Sequence, residues 1–122
     1  MAKTIMIVDD SATLRQVVSI ALKGAGYDVI EGCDGKDALN KLTGQKVHLI
    51  VSDVNMPNMD GITFVQEVKK LPAYKFTPVI MLTTEAGEDK KAAGQAAGAK
   101  AWVIKPFKPD QMLTAVSKLI LP

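Results

Sequence analysis

Apolar residues follow two alternating patterns along this chain, and the alternation repeats five times. Short, mostly apolar runs indicate strands, and longer segments with apolar residues every three or four positions indicate helices. The strands are predicted at Thr4–Val8, Tyr27–Ile30, His48–Ser52, Pro78–Leu82 and Ala101–Ile104. The first, third and fourth runs are apolar without alternation, as expected where helices cover both faces of a parallel sheet. The pattern predicts an α/β fold, a doubly wound five-stranded parallel sheet with helices on both faces.

Each helical segment has one side that is predicted to face inward. Ser11 and Asp34 are suited to cap the first two helices, and the last two are predicted at Glu88–Ala97 and Pro109–Leu121. The predicted inward-facing residues are Leu14, Val17, Val18, Ala21 and Leu22, then Ala38, Leu39 and Leu42, then Phe64, Val65, Val68 and Leu71, and finally Met112, Leu113, Val116, Leu119 and Ile120.

Length and charge narrow the class of protein. The 122 residues fit one domain, predicted to span positions 1–122, and the net charge of +2 does not indicate a nucleic-acid partner. A single cysteine, Cys33, rules out an internal disulfide, and no apolar run reaches the roughly 20 residues that cross a bilayer. The N-terminal apolar stretch ends in two acids, unlike a signal peptide. We therefore expect a monomeric cytoplasmic protein without a membrane partner.

Charged and hydroxyl residues follow four of the predicted strands. Asp9 and Asp10 follow the first strand, Asp53 the third, Thr83 the fourth and Lys105 the fifth. Ligands bind outside the carboxyl ends of the strands in open α/β sheets. We therefore expect three carboxylates, a hydroxyl and an ammonium group to meet at one edge of the sheet.

Carboxylates that lie this close together repel each other. Two of them about 5 Å apart cost roughly 3 kcal/mol at an effective dielectric constant near 20. Mg²⁺ removes this repulsion, binds a few carboxylates and bridges to phosphate oxygens. A metal, a carboxylate nucleophile and a lysine that pairs with an anion are the groups that form an aspartyl phosphate.

Each of these features is weak evidence by itself. An acidic pair after a strand is often a turn or a helix cap, and a single strand-end aspartate is usually a solvated turn residue. His48 has no second ligand at metal spacing, so a structural role is predicted, and Cys33 is predicted to be inert. The chain contains neither of the glycine-rich nucleotide-binding motifs. The coincidence of the charged groups at one edge carries the argument.

Four segments resemble the receiver domains of two-component response regulators, and most closely those of the single-domain, CheY-like chemotaxis regulators. The segments are IVDDS at Ile7–Ser11, SDVNMPNMDG at Ser52–Gly61, MLTTEA at Met81–Ala86 and WVIKPF at Trp102–Phe107. The resemblance runs from Lys3 to the C-terminus and implies a flavodoxin-like topology. It also implies phosphorylation by a histidine kinase, similar to CheA, and a protein target such as the flagellar motor switch, with a phosphatase as a further possible partner.

The resemblance implies a role for each residue of the site. Asp53 matches the phosphoryl acceptor, and Lys105 matches the lysine that pairs with the phosphoryl group. Asp10 matches the direct Mg²⁺ ligand, Asp9 its neighbour that acts through water, and Asn55 the position whose backbone carbonyl completes the metal site. Asp53 itself is also a metal ligand in this arrangement.

Two further roles concern the response to phosphorylation. Thr83 matches the switch hydroxyl, and Trp102 occupies the position of the switch aromatic, where Tyr or Phe is usual. Asn55 and Glu85 each lie two residues beyond an active-site residue. We expect their side chains to set the phosphoryl lifetime by admitting or excluding the hydrolytic water.

Other functions fit the sequence less well. A phosphorelay intermediate or a phosphate sink would use the same residues, and both stay open as alternatives. Phosphatases of the haloacid dehalogenase type also use a strand-end aspartate, but they need a second aspartate two residues later as a general acid. That position is Asn55 here, which does not donate a proton in that role. A phosphorylation-independent binding module would leave the acidic cluster without a purpose. We therefore expect no enzyme activity beyond the protein's own phosphorylation and dephosphorylation.

Overall fold

The computed structural model of the chain describes residues 2–54, 56–83, 97–105 and 107–120. These residues form five strands and four helices. In chain order the elements are β1 (Thr4–Val8), α1 (Ala12–Gly24), β2 (Asp28–Gly32), α2 (Gly35–Leu42), β3 (Leu49–Asp53), α3 (Gly61–Lys70), a short 3₁₀ helix (Pro72–Tyr74), β4 (Val79–Thr83), β5 (Ala101–Ile104) and α4 (Pro109–Leu119). The predicted helix Glu88–Ala97 lies outside the described residues except for its last residue, and Leu121 also lies outside them.

All strand pairs are parallel, and the strand order is β2-β1-β3-β4-β5. The register places Val8 beside Ser52 and Asp53 beside Leu82, so β1, β3 and β4 end at nearly the same level. The predicted doubly wound parallel sheet is therefore confirmed, and its carboxyl edge collects the residues that follow these strands.

Helices cover both faces of the sheet, as the unbroken apolar runs predicted. On one face Met6, Val8 and Ile50 pack with residues of α2 and α3. On the other, Ile5 and Ile7 pack with residues of α1 and α4, among them Leu22, Met112 and Val116. Successive strand residues thus alternate between two separate cores, and every residue of β3 and β4 is buried.

Side chains at the carboxyl edge cap the first three helices. The side-chain oxygen of Ser11 accepts a hydrogen bond from Leu14 N, which begins α1 as predicted. The carboxylate of Asp34 accepts from Asp37 N at 2.8 Å, and that of Asp60 accepts from Thr63 N at 2.8 Å. Each cap pairs an N–H group that the first helical turn leaves free. The helix starts are thereby fixed at the edge where the charged residues meet.

Some predicted details are wrong. β2, β3 and β4 each begin one residue later than predicted, and β2 continues through Glu31 to Gly32 because its backbone pairs with β1 whatever the side chain. Val17 was predicted to face the core, but it is 49% exposed at the side of α1. Leu71 was assigned to the inner side of α3, but that helix ends at Lys70 and Leu71 is 37% exposed. Among the described residues, no helix combines the length and apolar character needed to span a membrane.

Candidate functional site

Three carboxylates meet where β1 and β3 end. Asp9 and Asp10 follow β1, Asp53 is the last residue of β3, and one oxygen atom from each lies within 4.8 Å of the others. Asp9 and Asp53 are buried, whereas Asp10 is exposed. The cluster thus has a buried side against the sheet and an open side that solvent reaches.

The Asp9 carboxylate is fixed by two hydrogen bonds. Its Oδ1 accepts from Ser11 N at 2.8 Å, and its Oδ2 accepts from the Lys105 ammonium at 2.9 Å. Its backbone carbonyl accepts from Arg15 Nη1 at 2.5 Å, and the Arg15 guanidinium also pairs with Glu31 at 3.3 Å. The start of α1 and a side chain from β5's end therefore both hold this fully buried acid in place.

Lys105 bridges two of the three acids. Its ammonium nitrogen lies 2.9 Å from Asp9 Oδ2 and 3.3 Å from Asp53 Oδ2. Burial opposes the charge on Lys105, but the hydrogen bond to Asp9 and the charges of both carboxylates outweigh burial and raise the pKa of Lys105. The lysine is therefore charged at neutral pH and neutralises only part of the acidic cluster.

Asp53 lies in an environment that disfavours its charge. Burial first, and then repulsion by Asp9, raise its pKa, while Lys105 and the Val54 N–H act in the opposite direction. A cation other than Lys105 would relieve this imbalance, and hard divalent ions prefer oxygen ligands of this kind. Three carboxylates against one ammonium leave a formal charge of −2. The donor set and its charge therefore fit Mg²⁺.

Two further predicted residues lie beside this cluster. Thr83 is buried at the end of β4, and its carbonyl accepts a hydrogen bond from Lys105 N at 2.7 Å. Trp102 pairs with Met81 in the sheet and packs against the core cluster that contains Met6. The indole Nε1 is buried and has no hydrogen-bond partner among the described residues. The indole is thus packed into the protein on the same side as α2 and α3.

The backbone at Asp53 leaves no room for a side chain at the start of α3. A Cβ atom added to Gly61 would lie 2.0 Å from the carbonyl oxygen of Asp53 and 2.9 Å from Val54 Cα. Gly61 N also donates to Val54 O at 2.8 Å. The segment after Asp53 is therefore closed at its base by a direct backbone contact that only glycine permits.

Comparison with known proteins identifies the family. A family model described as "Response regulator receiver domain" matches residues 5–117. The chain belongs to the response regulator receiver family. It is 38% identical over 112 residues to protein PilG of Pseudomonas aeruginosa, covering 92% of this chain and 83% of PilG. It is also 35% identical over 108 residues to the chemotaxis protein CheY1 of Helicobacter pylori, covering 87% of each chain.

Solved structures agree with this assignment. The chemotaxis protein CheY4 of Vibrio cholerae, solved at high resolution at low pH, shares 44% sequence identity and a TM-score of 0.95, covering 98% of this chain and 99% of CheY4. Receiver domains are phosphorylation-based signalling domains that interact with histidine kinases and with downstream targets. They bind Mg²⁺ in their active site.

The remaining residues singled out from the sequence have simpler explanations or lie outside the described residues. His48 Nδ1 accepts a hydrogen bond from Thr4 N at 3.0 Å, which ties β3's start to β1. Cys33 is exposed, and the pKa of its thiol is raised, first by desolvation and then by the adjacent Asp37 carboxylate. A raised pKa disfavours the thiolate, which is the reactive form of cysteine. Asn55 and Glu85 lie outside the described residues.

Sequence reasoning missed two sets of contacts. Arg15 holds the backbone of Asp9, and Asn58 donates to Asp34 at 2.8 Å. Arg15 lies on α1 one turn after the Ser11 cap, so its proximity to Asp9 was a detectable signal. Asp34 and Asn58 are 24 residues apart in two loops, and no periodicity relates them.

The raised pKa of Asp53 leads to a prediction about stability and pH. The Asp53 carboxyl group binds its proton more tightly in the native protein than in the unfolded chain. The free energy of unfolding therefore falls as pH rises from the ordinary carboxyl pKa to the raised pKa of Asp53. Above that window Asp53→Asn should be more stable than the wild-type protein by about 1 to 2 kcal/mol without metal. Urea unfolding from pH 4 to pH 8 in a chelator measures the difference. A constant difference across this range would contradict the prediction.

A second prediction concerns competition at the acidic cluster. The Lys105 ammonium pairs with oxygens of Asp9 and Asp53 for which a cation at the cluster would compete. Lys105→Met should therefore strengthen Mg²⁺ binding by about tenfold. Lys108→Met removes an exposed lysine three residues away and is the matched control. Calorimetric titration gives both affinities, and weaker Mg²⁺ binding by Lys105→Met would show that the lysine supports the metal.

Proposed function

We propose that the protein is a response regulator that accepts a phosphoryl group from a histidine kinase onto Asp53 in a Mg²⁺-dependent reaction. The single observation that supports this most is the meeting of three carboxylates with one lysine at the end of β3. Its only chemical activities in this proposal are its own phosphorylation and dephosphorylation. The domain then signals to a separate protein target by a change of conformation.

Each residue of the cluster has a defined role in the proposed transfer, and Asp53 has two. A carboxylate oxygen of Asp53 attacks phosphorus, and the bond between phosphorus and the imidazole nitrogen of the donor breaks as that nitrogen takes up a proton. Asp10, Asp53 and the backbone carbonyl of Asn55 would hold Mg²⁺, with Asp9 acting through water. The metal supplies positive charge that neutralises the phosphoryl oxygens during transfer. Lys105 moves from the carboxylates to pair with the new phosphoryl group.

The proposed signal depends on Thr83 and Trp102. The Thr83 hydroxyl donates to a phosphoryl oxygen once one is present on Asp53, which draws the end of β4 toward the site. The space that this movement opens lies toward β5, where Trp102 is the neighbouring aromatic residue. Phosphorylation then shifts the population between two packing states. Asn55 and Glu85 are proposed to set the lifetime of the phosphoryl group through access of water to it.

The partners proposed here follow from the relatives. CheY1 and CheY4 are chemotaxis proteins by name, so we propose a CheA-like kinase as donor and the flagellar motor switch as target. A phosphatase that shortens the signal is a further proposed partner. We also propose that the protein is a monomer and that phosphotransfer takes place in the cytoplasm.

Acetyl phosphate provides a direct test without the kinase. The Asp53 carboxylate displaces acetate and keeps the phosphoryl group, so intact mass should rise by one phosphoryl unit when Mg²⁺ is present. The adduct should survive acid and be lost in base. Chelation of Mg²⁺ before acetyl phosphate is added should prevent formation of the adduct. An equal yield of adduct with and without chelator would contradict the proposed metal dependence.

A prediction about the switch follows from the position of the only tryptophan. Beryllofluoride with Mg²⁺ should change Trp102 emission, and Thr83→Ala should remove most of that change while the acetyl phosphate adduct still forms. Thr83→Ser keeps the hydroxyl and is the matched control. Fluorescence titration measures both variants. Emission that changes equally in Thr83→Ala and wild type would exclude Thr83 as the link to Trp102.

A further inference from the structure

The segment between β3 and α3 has one residue with an unusual backbone. Asn58 has a φ angle of 67°, which makes it the one non-glycine residue with positive φ in the described part of the chain. Asparagine is among the few residues that adopt this left-handed conformation, but a residue is held there only when its surroundings determine it. The contacts of Asn58 must therefore hold its backbone in this conformation.

The side chain of Asn58 is fastened to the start of α2. Its Nδ2 donates to Asp34 Oδ2 at 2.8 Å, while Asp34 Oδ1 accepts from Asp37 N at 2.8 Å. The Asp37 N–H first, and then the Asn58 amide, lower the pKa of Asp34. Asp34 is therefore a charged acceptor at neutral pH, and its two oxygens divide between capping α2 and holding the segment after β3.

A packing contact reinforces this attachment. A Cβ atom on Gly35 would lie 2.8 Å from Met59 Cγ, so the Met59 side chain rests directly on the first turn of α2. Within the segment, Met59 N donates to Pro57 O at 2.7 Å, and at its base Gly61 N donates to Val54 O at 2.8 Å. The residues that follow Asp53 are thus held at the base by β3 and α3 and at the tip by α2.

We infer that Asp34 and Asn58 are positioning residues for the phosphorylation site. By fixing the tip of the segment, they fix the course of the backbone between α3 and Val54, whose carbonyl accepts from Gly61 N, and with it the adjacent Asp53 carboxylate that is proposed to bind Mg²⁺. Among the described residues, neither side chain forms a hydrogen bond with Asp9, Asp10 or Asp53. The inference rests on the proposed function of Asp53 for its effect on phosphorylation, whereas its effect on Mg²⁺ affinity requires only that the carboxylate cluster binds the metal.

The test separates the effect of the hydrogen bond between Asn58 and Asp34 from the effects of the Asn58 backbone conformation and of negative charge on α2. Asn58→Gly keeps positive φ accessible but removes the amide, and Asp34→Ser keeps a cap for α2 but no longer reaches Asn58. Asp37→Ser removes a carboxylate from the same turn of α2 without touching the segment, and is the control for long-range charge. The double variant Asp34→Ser with Asn58→Gly completes a double-mutant cycle.

Mg²⁺ affinity is measured by calorimetry, and fold retention by urea unfolding of the same samples. Asp34→Ser and Asn58→Gly should each bind Mg²⁺ about tenfold more weakly than wild type, as for other residues that orient metal ligands. The Mg²⁺ affinity of the double variant should be no lower than that of the weaker-binding single variant. Asp37→Ser should differ little from wild type. Wild-type affinity in Asn58→Gly, or fully additive losses in the double variant, would overturn the inference.

Acetyl phosphate labelling of the same proteins distinguishes the two proposals. If wild type forms no adduct but Mg²⁺ affinities still separate as described, the proposed function fails and the positioning role stands. If wild type is labelled and the variants match it in both labelling rate and Mg²⁺ affinity, the positioning role fails and the proposed function stands.

Discussion

Asp53→Asn is expected to form no phosphoryl adduct with acetyl phosphate and Mg²⁺. The amide keeps the size and buried position of the side chain but lacks the carboxylate oxygen that attacks phosphorus. No other described residue combines burial, a raised pKa and contact with Lys105 at this edge. Intact mass after incubation should equal that of the protein without donor, whereas wild type gains one phosphoryl unit.

Asp60→Asn is the matched control for this substitution. Asp60 caps α3 at the same edge of the sheet, is exposed, and makes hydrogen bonds to Thr63 that an asparagine cap largely preserves. This variant should be labelled as the wild type is. Normal labelling of Asp53→Asn, or loss of labelling in Asp60→Asn alone, would place the acceptor elsewhere.

Gly61→Ala is expected to cause the largest loss of stability among glycine-to-alanine changes at the described glycines. The added Cβ would lie 2.0 Å from the Asp53 carbonyl oxygen, and backbone on both sides must move to accept it. We expect the free energy of unfolding to fall by about 3 kcal/mol or more. Because the displaced carbonyl belongs to Asp53, acetyl phosphate labelling should slow as well.

Gly24→Ala is the matched control, since a Cβ there meets nothing within 4 Å. Gly24 is the last residue of α1, where alanine should be neutral or more stable by up to about 1 kcal/mol. Urea unfolding of both variants at one pH measures the difference. Equal stability of Gly61→Ala and Gly24→Ala would mean that the contact at Asp53 is not tight in solution.

The sequence pattern was sufficient for the fold because buried parallel strands leave an unmistakable signal. β1, β3 and β4 are covered on both faces and contain unbroken apolar runs, with polar residues only at their ends, whereas edge strand β2 carries Asp28 and Glu31 and was predicted too short. Asp53 was placed just after β3 but belongs to it, because the ladder to Leu82 is made by backbone groups that do not depend on the side chain.

The site was predictable only as far as topology alone determines it. The carboxyl edge of a parallel sheet necessarily gathers Asp9, Asp53 and Lys105, but their spacing and burial depend on packing that the sequence does not encode locally. Lys105 lies nearer to Asp9 than to Asp53, which no pattern indicated. The bond between Asp34 and Asn58 joins two loops, and loop geometry lacks the periodicity that makes helices and strands readable.

The most direct measurement of the central claim is the location of the phosphoryl group. Borohydride reduces an aspartyl phosphate to homoserine, so the protein is treated with acetyl phosphate and Mg²⁺, reduced, digested and sequenced by tandem mass spectrometry. Phosphorylation of Asp53 predicts homoserine at position 53 and at no other acidic residue. Homoserine at Asp9 or Asp10, or a phosphoryl group recovered on His48 or on a hydroxyl residue, would contradict it.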